Sequence, residues 1–338
     1  MSCFCIGIGI ALEQALGLYE YEIYLANSTL HSSSQLFTTK TAFNLKHFTE
    51  LAFIEALADA NIGLNQLYED MRIGVVIGSS LGFIDLLEYA PKKTMDFSWL
   101  TQKFKIRGPL YVVSNTCVSS LNAITIARFL LASGKLDYCI VGGIDAVSDF
   151  IVSGFRAMNL LSCDHSINLA DSIYSGTVLA PAAVFVVLSS KTHINYNLEI
   201  TSCEVGNEAF DLAAVDKTGT VLQKIINSCI SQAKLSFKQL DVLLTCANGT
   251  KAINQQQDYI IKQCFSNTPC IISSVKPTVG HTLAASSLLD IASVAMFARN
   301  GMVLNAKQQW IPKRICNAMI LATGFGGATG ALLLHLGE

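Results

Sequence analysis

Short apolar runs of strand length alternate along this chain with longer stretches whose apolar residues recur at helical spacing, the pattern of an α/β protein. Arg72–Ser79 is a β-branched run closed by small residues, and Leu110–Ser114 and Leu136–Val141 read as further strands, the last closed by Gly142 and Gly143. Val118–Ser133 is apolar almost all round, which predicts a buried helix stopped by Gly134. The second half repeats the theme with a strand at Asp241–Ala247, a helix at Gln256–Phe265 and a strand at Cys270–Ser274. An apolar helix at His281–Ala298 follows, then terminal strands at Ala318–Ala322 and Gly330–Leu336. A strand, a small-residue turn and a buried helix in each half point to duplication. The break falls near Ser189–Thr192, after a strand at Val184–Leu188, giving halves 1–190 and 191–338. No linker composition marks it, so the halves are expected to pack as one body.

Composition sharpens this picture. The 338 residues are 51% hydrophobic and only 14% charged, with a mean hydropathy of +0.44. A chain of that length and character buries a large core and has apolar surface to spare for a subunit interface. A net charge of −2 gives no electrostatic case for nucleic acid or an anionic membrane as partner. The longest apolar run, Val178–Leu188, is too short to span a bilayer and contains Pro181, so no membrane span is expected. The N-terminus lacks the basic segment of a secretion signal, and Glu13 interrupts it. The 11 cysteines form no CxxC pair, so neither a metal site, a disulfide framework nor a cofactor is indicated. An odd number of thiols suits the reducing cytoplasm, the expected compartment.

Four segments carry candidate chemistry. Cys117 lies in Ser114-Asn115-Thr116-Cys117-Val118-Ser119-Ser120, where a strand meets a helix. A thiol there gains from the helix N-terminal dipole and from unpaired N–H groups, so a low pKa is expected. Taken alone, a cysteine is more often a small buried hydrophobe. His281 follows Lys276 in Lys276-Pro277-Thr278-Val279-Gly280-His281-Thr282 and is expected to open a helix. Gly324-Phe325-Gly326-Gly327 can bring backbone close to a ligand, because glycine permits positive φ and presents no side chain. The fourth segment is Cys246-Ala247-Asn248-Gly249-Thr250.

In this order the segments resemble the β-ketoacyl-(acyl carrier protein) synthases of the thiolase superfamily. Tyr138–Ala146, with its Gly-Gly pair, and Ser153–Ser162 extend the likeness, which covers most of Arg72–Leu336. The resemblance implies a thiolase fold, with duplicated halves in an α-β-α-β-α layered sandwich, and a dimer paired through the strand Leu110–Ser114. It also implies roles. Cys117 would carry the acyl chain as a thioester, and His281 would hydrogen-bond the thioester carbonyl and the carbanion left by malonyl decarboxylation. Lys276 would support the site from behind. The N–H groups of Cys117 and Phe325 would form an oxyanion hole, the Phe325 ring would gate the acyl pocket, and Gly324, Gly326 and Gly327 would shape that loop.

Asn248 departs from the pattern: the catalytic members carry histidine there. An asparagine amide can donate a hydrogen bond but cannot act as a base. Gln255, Gln256 and Gln257 stand where acids supporting the lysine are expected, with only Asp258 nearby, and Pro181 interrupts a segment that is glycine-rich and carries a carboxylate in the family. The reading that follows is a chain-length-factor-type subunit pairing with a catalytic ketosynthase, in polyketide, aryl-polyene or fatty-acid-type elongation on an acyl carrier protein. The alternatives are a self-sufficient condensing enzyme with an Asn-variant site and a non-catalytic acyl-binding scaffold. Lys92-Lys93 and Lys103, Lys105 and Arg107 are the available basic surface for a carrier protein.

Overall fold

The computed structural model describes residues 2–13, 15, 17–28, 44–64, 67, 72–82, 96–169, 174–191 and 198–337. Lys92 and Lys93 lie outside the described residues, as does Thr192 at the expected break. The strands are β1 (Phe4–Leu12), β2 (Ile73–Gly78), β3 (Leu110–Val113), β4 (Tyr138–Asp145), β5 (Ala182–Ser189), β6 (Leu198–Asn207), β7 (Val242–Leu244), β8 (Ile271–Ser273), β9 (Met302–Leu304), β10 (Trp310–Pro312), β11 (Asn317–Thr323) and β12 (Ala328–Leu336). Ten form one sheet, and β9 pairs with β10 apart from it.

Read inward from each edge, the sheet runs β3-β2-β4-β5-β1 in the first half and β8-β7-β11-β12-β6 in the second. The sense of pairing repeats too. The outer strands are parallel and the inner ones antiparallel in both halves. β1 meets β6 only at Phe4–Glu199 and Cys5–Leu198, the seam between the halves. Strands this apolar on both faces must be covered on both sides. The Ser119–Ala132 and Ser286–Asn300 helices fill the middle, sharing one core with both half-sheets. The Leu45–Asp59 helix covers the outer face of the first half, and the Thr220–Gln232 helix that of the second. This is the α-β-α-β-α order expected of the fold.

Two features of this packing place the site. Gly78 ends β2 against the start of the Ser119–Ala132 helix, where a Cβ would come within 2.5 Å of the Ser119 and Ser120 backbone. Gly78→Ala should therefore cost about 1–3 kcal/mol through overpacking, read as a lower urea midpoint. The second feature corrects an expectation: His281 does not open a helix. Gly280 (φ 82°) and Leu283 (φ 51°) leave the helical path on either side of it, and the long helix begins only at Ser286. Instead His281 N–H donates to Val178 O (2.7 Å) and His281 O accepts from Ala180 N–H (3.0 Å), a short bridge of extended backbone. The strand at 241–247 is also shorter than its pattern suggests. The strand itself ends at Leu244, with Thr245 N–H still donating to Ser273 O of β8 (3.1 Å), and the chain then turns through Cys246–Asn248 toward the site. The following helix starts early, at Lys251.

Candidate active site

Cys117 sits on a sharp turn. Thr116 takes φ 49°, rare for a β-branched residue. It is held there by Ser119, whose hydroxyl donates to Thr116 O (2.6 Å) and accepts from Asn115 N–H (2.8 Å). The turn delivers the thiol to the second half of the chain, where Cys117 Sγ lies 3.1 Å from His281 Nε2. His281 Nδ1 lies 3.3 Å from Ser286 Oγ, which in turn meets Thr282 Oγ1 at 3.2 Å. Both members of the pair are buried. Burial, with Asp145 adding to it, pushes the Cys117 thiol up to about 12. Burial, aided by the Lys276 charge, pushes the His281 imidazole down to about 3. Both shifts favour a neutral thiol facing a neutral imidazole across the Sγ–Nε2 contact.

A low-pKa thiol was the expectation from the helix end, and desolvation reverses it. The expected behaviour follows directly. Alkylation of Cys117 by iodoacetamide should climb about tenfold per pH unit between pH 7 and 10, because only the thiolate reacts and its fraction is still small throughout that range. A plateau below pH 9, read by peptide mass spectrometry, would mean that the thiol is acidified after all.

Lys276 lies behind the pair. Its Nζ donates to Thr245 O (3.1 Å) and stands 4.0 Å from Asp290 Oδ2, all within the core. Burial raises Asp290 to about 6, with Lys276 opposing the rise. Asp290 is therefore the carboxylate that supports the lysine, and motif reading missed it. A signal was present, because Asp290 is the one charged residue in Thr282–Ala298. Asp145 was missed as well. It accepts from Ser79 Oγ (2.9 Å), Ser80 N–H (2.9 Å) and Ala284 N–H (2.9 Å), tying β2 to the turn after His281.

Asn248 belongs to the rim but its carbonyl oxygen is occupied. Oδ1 accepts from Thr250 N–H (3.1 Å) and Thr250 Oγ1 (2.7 Å), a local turn at the start of the Lys251–Ile260 helix. Only the amide N–H groups remain as donors toward a ligand. The rim is stitched by 176–180, the segment in which Pro181 suggested degeneration. Gly176 N–H donates to Gly249 O (3.1 Å), Thr177 N–H to Leu160 O (2.7 Å), and the next residues hold the His281 backbone. Gly249 (φ 89°) allows this crossing, since a Cβ there would lie 2.1 Å from Gly176 O.

The glycine-rich loop closes the site. Gly324 presses on the cysteine turn, so that a Cβ would come within 2.2 Å of Thr116 Oγ1 and 3.1 Å of Cys117 N. Phe325 packs on Phe155 with ring centroids 5.4 Å apart. With Ile151, Leu179 and Leu283 these rings form an apolar cluster around Cys117. A thiol against a histidine, close-packed backbone and an apolar lining are a setting in which acyl transfer from a thioester can take place.

Two domain families match the chain: the beta-ketoacyl synthase N-terminal domain over residues 46–193 and the beta-ketoacyl synthase C-terminal domain over residues 198–308. The chain belongs to the beta-ketoacyl synthase family. Among curated relatives, Nodulation protein E of Rhizobium meliloti is 26% identical over 279 residues, spanning 75% of this chain and 69% of the relative. Among solved structures, a ketosynthase in complex with its chain length factor from Xenorhabdus doucetiae superposes with a TM-score of 0.82 at 19% identity, covering 99% of this chain and 98% of that one. A type II polyketide acyl-carrier protein in complex with its ketosynthase gives a TM-score of 0.83 at 16% identity, covering 100% and 99%. At those identities the superpositions establish the shared thiolase fold. Among the described residues of this family member, no helix is long and apolar enough to cross a membrane.

Proposed function

We propose that this synthase-family chain is a chain-length-factor-type subunit that can accept an acyl group on Cys117 but depends on a catalytic ketosynthase for condensation. The observation that carries the reading is the asymmetry of the site. The Cys117–His281 pair is in hydrogen-bond contact, whereas the position of the second histidine holds Asn248 with its oxygen turned to Thr250.

In the loading step, Cys117 sulfur attacks the carbonyl of an acyl thioester as its proton passes to His281 Nε2. The proton then goes to the departing thiol, leaving acylated Cys117 and a free carrier thiol. Because the resting pair is neutral, proton transfer must accompany carbon–sulfur bond formation. The N–H groups of Cys117 and Phe325 would receive the developing oxyanion, and Lys276 with Asp290 would hold the strand ends behind. Malonyl decarboxylation needs a second group to bind and polarise the malonyl thioester, and Asn248 offers only an amide donor. Loss of a general acid–base partner costs about 10²–10⁴-fold in rate.

The partner reading is supported by β3, a sheet edge with Tyr111 46% and Val112 53% exposed, and by Phe129 on the cysteine helix, 69% exposed. An open edge of this kind is a site for strand addition. The acyl donor is proposed to be a carrier protein in the cytoplasm. Of the expected basic surface, Lys103, Lys105 and Arg107 lie among the described residues, and Lys103 pairs with Glu50.

The test is co-expression with a complete ketosynthase carrying both histidines. A 1:1 heterodimer by mass photometry is expected, and the chain alone should not sustain condensation of acyl and malonyl thioesters. Steady condensation by the chain alone would favour the self-sufficient enzyme, the second reading, for which the close Cys117–His281 contact speaks.

A further inference from the structure

The segment Asn207–Lys217, between β6 and the Thr220–Gln232 helix, runs across the glycine-rich loop and grips it at several points. Asn207 Nδ2 donates to Gly326 O (2.7 Å), Gly326 N–H donates to Leu212 O (2.8 Å), and Glu208 N–H donates to Gly327 O (2.8 Å). Gly327 (φ 78°) has no room for a side chain, since a Cβ would meet Ala209 N and Asn207 Oδ1 at 3.0 Å. The strap is closed on itself by Asp216 N–H, which donates to Glu208 Oε2 (3.0 Å). Its middle faces solvent, with Phe210 59% and Leu212 84% exposed. The strap is thus tied to the loop through its backbone while its Phe210 and Leu212 side chains face solvent.

One buried side chain joins the two ends of the strap. Gln256 is fully buried, and its Nε2 donates both to Glu208 Oε1 (2.8 Å) and to Asp216 O (2.8 Å). Its Oε1 accepts from Thr323 Oγ1 (3.4 Å), the residue before Gly324, and Thr323 Oγ1 accepts from Cys246 Sγ (3.2 Å). A single amide therefore connects the Asn248 segment, the strap and the root of the glycine-rich loop. The residue type matters. An acid at 256, which the family resemblance leads one to expect, would set a second carboxylate against Glu208 at hydrogen-bond distance, while an amide supplies the two donors that Glu208 and Asp216 O need.

We infer that Gln256 and Glu208 form a matched latch that pins the Asn207–Lys217 strap and so holds Phe325 over Cys117. Gln256 is a positioning residue: it acts through the loop and touches no reacting atom. The inference rests on Cys117 being the acyl site only for its purpose, since the latch itself is a matter of geometry.

The test uses the full chain and iodoacetamide, with labelling of Cys117 measured by peptide mass spectrometry against exposed Cys163 as internal standard. Gln256→Glu should raise the Cys117/Cys163 labelling ratio at least tenfold and speed chymotryptic cleavage at Phe210 and Leu212. The double variant Glu208→Gln with Gln256→Glu should restore most of the protection, because the amide at 208 can then donate to the carboxylate at 256. An unchanged ratio in Gln256→Glu, with native circular dichroism, overturns the latch. So does a double variant no better protected than the single one. Should Gln256→Glu fail to fold, Glu208→Gln alone decides: it places a donor opposite a donor, so a threefold rise supports the latch and no rise overturns it. Neither readout needs a substrate. A chain without ketosynthase-type chemistry would leave the latch result standing, and a failed latch would leave the reading of Cys117 and His281 standing.

Discussion

Replacing Lys276 by alanine should cost about 3–5 kcal/mol of folding stability, because it strands Asp290 as a buried carboxylate without its cation. Lys276 Nζ has two partners in the core, Asp290 at 4.0 Å and Thr245 O at 3.1 Å, so the substitution also leaves a buried carbonyl unpaired. The loss should depend on pH, and the sign can be worked out. Asp290 has a folded pKa of about 6, above its ordinary value, so its burial is tolerated when protonated and weighs against folding as pH rises through 6. Removing Lys276 takes away the one influence that lowers this pKa. The gap between wild type and variant should therefore narrow as pH falls from 8 to 5, when Asp290 takes up a proton. Lys276→Met with Asp290→Leu should recover most of the stability while removing whatever function the pair serves. Urea melts at several pH values check all three outcomes, and a gap that widens in acid would show that the pair is not the source of the effect.

Asn248→His is expected to raise malonyl decarboxylation at least tenfold, about 1.4 kcal/mol of transition-state stabilisation. Cys117, His281, Lys276 and the Phe325 loop are already in place, so the change supplies the missing group to an assembled pocket. The gain comes with a local loss. Asn248 Oδ1 satisfies Thr250 N–H and Thr250 Oγ1 at the head of the Lys251–Ile260 helix, and histidine cannot reproduce that turn. A stability loss of about 0.5–1.5 kcal/mol, the usual worth of a hydrogen bond, should accompany the new activity. Release of labelled carbon dioxide from a malonyl thioester measures the first, and thermal melting the second. No gain with the fold intact would overturn Asn248 as the limit on decarboxylation.

These variants separate what was legible in the chain from what was not. The cysteine turn, the two buried helices and the glycine-rich loop were visible because each is a local pattern: small residues at a turn, apolar residues at helical spacing, glycines where backbone must approach backbone. The strand order of the two halves likewise matches the duplication read from their patterns. What escaped was set by contacts distant in sequence. Asp290 takes its role from Lys276, and Gln256 from Glu208, in the strap that follows β6. The His281 segment was read as helical from its apolar spacing, but pairing with Val178 and Ala180 draws it into extended backbone. The Cys117 thiol was expected to be acidic from its helix end alone. Its burial depends on the rings of Phe155 and Phe325, and burial outweighs the helix end.

The shared middle layer has a consequence for how this protein is made. The Ser119–Ala132 helix finishes its packing only against Ser286–Asn300, so a ribosome releases the first half with one apolar face uncovered. At about 5–20 residues per second, the stretch from the end of β5 to the end of the Ser286–Asn300 helix takes on the order of 5–20 s to appear. During that interval the nascent chain carries the Cys117 thiol without its His281 partner and an adhesive surface without a lid. Expression in a host short of chaperones should therefore yield aggregates seeded by the first half, and the Cys117–His281 contact can form only once the second half has been made.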